Sequence, residues 1–210
     1  MVVGLKLEKK VFYNNIKIVS FNIIALALVY IGAIYLIFDK NSLSEDGVIF
    51  IGEQLLSPIG IAVFVRIALI ENEYWIDEIV YSKVYPYWKT ILYRIIIVSM
   101  QLFLILVIAF IPLKLIGVDF KVINILLGSY VTSFYLGTIG MILAYITKEI
   151  SIGVLIPFLY YFFEMFSKGR FTKGFYLFGM MNGNYTSKIK LLVTAIILIT
   201  LCLWIMKEEN

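Results

Sequence analysis

The stretch Arg94-Ile-Ile-Ile-Val-Ser-Met-Gln-Leu-Phe-Leu-Ile-Leu-Val-Ile-Ala-Phe-Ile-Pro112-Leu-Lys114-Leu-Ile116 carries no charge between Arg94 and Lys114. A helix of roughly 20 such residues matches the hydrocarbon thickness of a bilayer. Runs of the same kind recur at 18–38, 48–70, 122–147, 150–166 and 189–206, so with 94–116 the sequence predicts six spans. The 210 residues are 62% hydrophobic and only 15% charged. A soluble domain of that size cannot bury so much apolar surface, so the bilayer must be part of its solvent. The predicted fold is an all-α integral membrane protein, a single transmembrane domain over 1–210 with six transmembrane helices.

Working outward from the spans, residues 1–17 place Lys6, Lys9, Lys10 and Lys17 among Leu5, Leu7, Val11, Phe12 and Ile16. That pattern predicts an interfacial helix lying on the headgroups; the basic flank of an uncleaved signal anchor has the same composition. Lys148 and Glu149 form the whole link between the fourth and fifth runs. The early basic residues, with Lys83, Lys89 and Arg94 in the next connection on that side, predict an inside N-terminus. An even number of spans then puts the C-terminus inside too. The connection before the last span, with Lys168, Arg170, Lys173, Lys188 and Lys190, carries the opposite bias. The expected setting is a multi-pass protein of the cell membrane with both termini cytoplasmic.

Composition narrows the chemistry. There is no histidine, which removes His-dependent acid–base catalysis and His-ligated metal. No metal site is predicted. Cys202 has no partner for a disulfide within the chain. A net charge of +4 without a clustered basic face gives no reason to expect nucleic acid as a partner. No Gly-x-x-x-x-Gly-Lys-Ser/Thr loop is present to cradle a nucleotide. The chain therefore reads as a non-enzyme.

The segment Glu71-Asn-Glu73-Tyr-Trp75-Ile-Asp77-Glu78-Ile-Val-Tyr81-Ser-Lys-Val-Tyr85-Pro86-Tyr-Trp88-Lys-Thr-Ile-Leu-Tyr-Arg94 differs from everything around it. Glu71 and Glu78 are two helical turns apart and share a face. The acidic start suits a helix N-terminus. Trp75, Tyr81, Tyr85 and Trp88 add amphipathic rings. These residue types suit a docking helix for a soluble partner, and equally an interfacial aromatic belt with ordinary loop charges.

In register, this segment resembles the one after the second span in permeases of the ABC transporter type-2 exporter superfamily, Glu-Arg-x-x-Gly-Thr-Leu-Glu-x-Leu-Leu-x-Thr-Pro. Glu71 falls on the first acid, Glu78 on the second, Val80 and Tyr81 on the paired apolar positions, and Arg94 on the basic residue that opens the third span. Trp75 and Tyr93 stand where Gly is usual, Ile76 where Thr is usual, and Val84 where Pro is usual, with Pro86 two residues late. The similarity extends to the layout of the whole chain: basic N-terminus, long second connection, short fourth link and Gly-rich aromatic segment before the last span. It implies a permease that moves an amphipathic or apolar substrate, peptide or lipid-like, and pairs with a similar permease as a homodimer or heterodimer. It also implies docking on a separate ATP-binding subunit that holds ATP and Mg, with no cofactor on this chain. The docking segment would be 71–93, with Glu71, Glu73, Trp75, Asp77, Glu78, Tyr81 and Trp88 in contact. An ATP-independent channel or secondary transporter, and a small membrane immunity or interaction protein, remain the alternatives.

Three further features stand out. Residues 167–188 are too apolar for a solvated loop and are broken by Gly169, Gly174, Gly179 and Gly183. Irregular backbone at membrane depth must be buried in protein or line a cavity. The segment is therefore expected to be re-entrant on the outer side, with Phe175 and Phe178 as its cap; an aromatic anchor lying flat on lipid is the other reading. Ser129, Ser133 and Gly137 form a small-residue face on the fourth run, suited to packing within one protomer or to a dimer seam. Glu53 and Glu164 lie near the outer ends of their runs, where a solvated outer vestibule accounts for them.

Overall fold

The computed structural model describes residues 11–16, 21–38, 43–70 and 86–208. All regular structure among them is helical. After a short helical stretch at 11–16 come α1 (Phe21–Ile37), α2 (Glu45–Ile67), α3 (Tyr87–Leu115), α4 (Val122–Thr147), α5 (Ile150–Ser167) and α6 (Thr186–Glu208). Two 3-10 turns, Lys173–Phe175 and Gly179–Asn182, lie between α5 and α6.

Among the described residues, five helices, α2 to α6, are long and apolar enough to cross a membrane. The described stretch of the first run, α1, lies within the predicted 18–38. Its 17 residues rise about 25 Å, less than the roughly 30 Å of a hydrocarbon core. Two boundaries move. Helix α2 starts at Glu45 because Ser44 caps it, accepting from Gly47 N–H, and Glu45 and Asp46 complement the helix dipole. Helix α3 starts at Tyr87, straight after the extended Pro86, well before the apolar run begins. Trp88 and Lys89 lower the hydropathy there without hindering helical hydrogen bonding.

Helix α4 is the centre of the bundle, packed against α2, α3, α5 and α6. Small residues set the spacing. A Cβ on Gly60 of α2 would lie 1.9 Å from the Ser133 carbonyl oxygen of α4, and one on Gly140 would meet the Gly153 carbonyl of α5 at 2.7 Å. Backbones approach this closely only where side chains are absent. The outside of the bundle is apolar, with Leu36, Leu104, Leu159, Ile196 and Trp204 exposed. That exterior suits lipid, and together with the five long helices it makes this a multi-pass membrane protein.

Where α2 ends and α3 begins, Arg94 is buried. Its Nε donates to Asn15 Oδ1 at 2.8 Å and an Nη to the Ile67 carbonyl at 3.3 Å. Phe12 meets Tyr93 edge-on at 5.8 Å. The 11–16 helix is thereby tied to the junction of α2 and α3. Arg94 sits two turns inside α3 rather than opening it.

Candidate functional site: a broken helix beneath a folded-back segment

Helix α2 is interrupted. Its residues Ile51–Leu55 form a π turn, and α-helix resumes only at Ile59. Pro58 has no N–H to give the Gln54 carbonyl, and Ile59 N–H bonds to the Leu56 carbonyl. Backbone oxygens freed inside a membrane protein need new donors. Two tyrosines supply them. Tyr161 of α5 donates to the Gln54 carbonyl at 2.7 Å, and Tyr30 of α1 donates to the Leu55 carbonyl at 2.8 Å. The break thus holds α1, α2 and α5 together through side-chain-to-backbone bonds. Removing one of these hydroxyls, as in Tyr161→Phe or Tyr30→Phe, is expected to cost about 1 kcal/mol. Unfolding in mixed micelles reads this out, with the larger loss at the more buried Tyr161.

The same π turn carries Glu53, which is fully buried. Its carboxylate forms an ion pair with Lys188 of α6 and accepts from Met180 N–H and Met181 N–H, each at 3.3 Å. These two amides belong to the second 3-10 turn. Lys188 Nζ also donates to the Leu177 carbonyl and to Thr132 Oγ1 of α4, whose hydroxyl in turn donates to the Gly128 carbonyl. Gln54 Nε2 reaches Met181 Sδ at 3.1 Å. Gly128 leaves room for Met180, since a Cβ there would lie 1.8 Å from the sulfur. The segment 177–181 is therefore clamped from three helices by one salt bridge and its satellite hydrogen bonds. Both charges have their remaining polar contacts filled, which a desolvated pair requires to be tolerated.

Glu164, on the same side of α5 as Tyr161, accepts from Thr172 Oγ1 at 3.0 Å and grips the segment's first part. Tyr176 lies between the two grips. Burial, and then the nearby Glu53 carboxylate, hold its phenol above the ordinary tyrosine range.

Among the residues singled out in the sequence, Phe178 is fully buried, edge-on to Tyr161 at 5.5 Å and to Tyr176 at 5.7 Å. Phe175 is 44% exposed, so it is not a second plug beside Phe178. Its 3-10 turn turns the ring outward while the next residues run inward. Ser129, Ser133 and Gly137 all face α2: Ser129 meets Gly52, Ser133 meets Gly60, and Gly137 meets Gly60 and Phe64. Glu53 and Glu164 lie in no solvated vestibule, since both are fully buried beneath the folded segment. Trp88 lies in the first turn of α3, half-buried, with Lys89 Nζ 5.7 Å from its ring. Glu71, Glu73, Trp75, Asp77, Glu78 and Tyr81 lie outside the described residues.

Sequence reasoning placed Thr132 beside the small-residue face and missed its part in the clamp, that of Lys188, and the roles of Tyr30 and Tyr161. Lys188 was counted as one of several loop cations. The signal that could have found it is Glu53 itself, because an acid inside an apolar run calls for a cation at matching depth. No family model, curated protein or solved structure matches the chain, so what it does rests on its own residues.

Proposed function

We propose that the chain is the six-span membrane permease subunit of an ATP-driven exporter, with both termini cytoplasmic and the 167–188 segment re-entrant on the outer side. It would pair with a similar permease and dock on a separate ATPase subunit, which would carry ATP and Mg. The observation that carries this reading is the junction at Arg94. The polar, aromatic 71–86 connection leaves from the end of α2 and returns into α3 where Arg94 joins Asn15 and the Ile67 carbonyl. Any force on a partner gripping that connection would pass directly into two long helices and the N-terminal helix. The resemblance of Glu71–Arg94 to exporter docking segments gives the partner its class.

The substrate class is supported by an open groove of about 660 Å³ between α1, α2 and α5, bordered by Ala27, Tyr30, Gln54, Pro58, Phe158 and Tyr161. Its walls are almost wholly apolar, which suits an amphipathic or apolar molecule. The buried Glu53–Lys188 pair also fits a secondary transporter, where intramembrane charges move with the substrate. Its position argues for a clamp: Glu53 and Lys188 lie near the starts of their helices, and their other bonds go mostly to the folded segment. The test is whether an ATPase co-purifies with the chain and is lost when Glu78 is reversed in charge.

A further inference from the structure

Glu164 lies in the last turn of α5 and is fully buried. Oε2 has the Thr172 hydroxyl, and the Leu177 N–H faces the carboxylate. Oε1 has no hydrogen-bond partner, and neither has the buried hydroxyl oxygen of Ser167, three residues on along the same face. The charged and titratable groups around it can be named element by element. Glu53 of α2 and Lys188 of α6 are committed to each other. The other titratable groups nearby are phenols, Tyr135 of α4, Tyr160 of α5 and Tyr176 of the segment. Lys168, Arg170 and Lys173 are exposed and form no ion pair with it. Among the described residues, no cation balances Glu164.

An ionised carboxylate held at zero exposure with so few donors is strongly disfavoured. We infer that Glu164 is a proton-binding site, and that the proton it holds keeps the 172–177 stretch closed against the bundle. In the closed form the acid is neutral and keeps the Thr172 hydroxyl beside it. When the stretch lifts, the acid meets water, where a carboxyl ionises near about pH 4.3, and the proton leaves to solvent. Closing therefore takes up one proton. The closed form is fully favoured at acid pH and loses ground as pH rises from the ordinary carboxyl range, until the closed acid itself ionises. This inference stands apart from the exporter reading, because it concerns the segment and not the partner.

Hydrogen exchange of peptides covering 168–185, in the full chain in nanodiscs and corrected for intrinsic rates, tests it. Protection should fall by about tenfold or more between pH 5 and pH 8, as a single linked proton gives. In Glu164→Gln, an isostere of the neutral acid, protection should stay high at both pH values. Thr172→Val removes a donor that favours the ionised form, so the fall should begin at the same pH but run on further and be larger overall, which keeps the test decisive if the Gln variant folds poorly. Unchanged protection in the native chain, or the same pH response in Glu164→Gln, overturns the proposal. So does protection that follows replacement of sodium by N-methylglucammonium at fixed pH, because the bound cation would then be a metal ion.

Discussion

Lys188→Met is expected to destabilise the fold by about 3–5 kcal/mol, the loss that follows when one member of a buried pair is left alone. Lys188 is the counter-ion of Glu53, and it also donates to Thr132 Oγ1 and the Leu177 carbonyl. Without it, the Glu53 carboxylate keeps only the Met180 and Met181 amides. The segment then loses its hold at Leu177 as well. The double variant Glu53→Gln/Lys188→Met removes both charges and should recover most of the loss, because the largest cost is an uncompensated charge and not the missing attraction. Unfolding in mixed micelles across the four-member cycle gives the coupling directly. If each single variant costs under about 1 kcal/mol, the pair is solvated like a surface bridge and does not clamp the segment.

Gly60→Val should be nearly as damaging, for a steric reason. The added Cβ alone would lie 1.9 Å from the Ser133 carbonyl oxygen, and the obstacle is backbone that cannot rotate away. Helices α2 and α4 would have to separate, opening the centre of the bundle. The cost should be at or above the upper end of the about 1–3 kcal/mol typical of overpacking. Gly32→Ala on α1 is the matched control, since a Cβ there meets nothing within 4 Å. It should be neutral or slightly stabilising, as Ala favours helix over Gly. The readout is the fraction of protein eluting as a single folded species after mild heating. Comparable losses for the two variants would place the close α2–α4 contact in doubt.

Long apolar runs announce helices because a bilayer-sized stretch without charge has few other uses, and so the helical, membrane-spanning character was legible. The start of α3 was not: Tyr87, Trp88 and Lys89 are helical but not apolar enough to join the run. The break in α2 was signalled only by Pro58, which reads as a kink. Nothing local says that Tyr161, about a hundred residues away, supplies the missing donor. The clamp was illegible for a similar reason. Glu53 looked like an interfacial charge because it lies near a helix end, and only the return of residues 177–181 over it makes that end dry. Small-residue spacing marked Ser133 and Gly137 as a contact face, but which helix they meet depends on Gly60, a single glycine with no pattern of its own.

The proposed permease works with an ATPase bound at Glu71–Trp88. The most direct test is capture of the full chain in mild detergent from its native membrane, followed by measurement of bound ATPase and of ATP turnover. A co-purifying subunit with a phosphate-binding Gly-Lys-Ser/Thr loop is expected. Reversal of one contact charge, Glu78→Lys, should strip that subunit or silence its turnover, since breaking a buried charged contact costs on the order of 2–5 kcal/mol. Glu45→Lys, the same change in charge at the exposed first turn of α2, should leave both intact. Absence of any such ATPase, or equal behaviour of the two variants at matched expression, would contradict the claim.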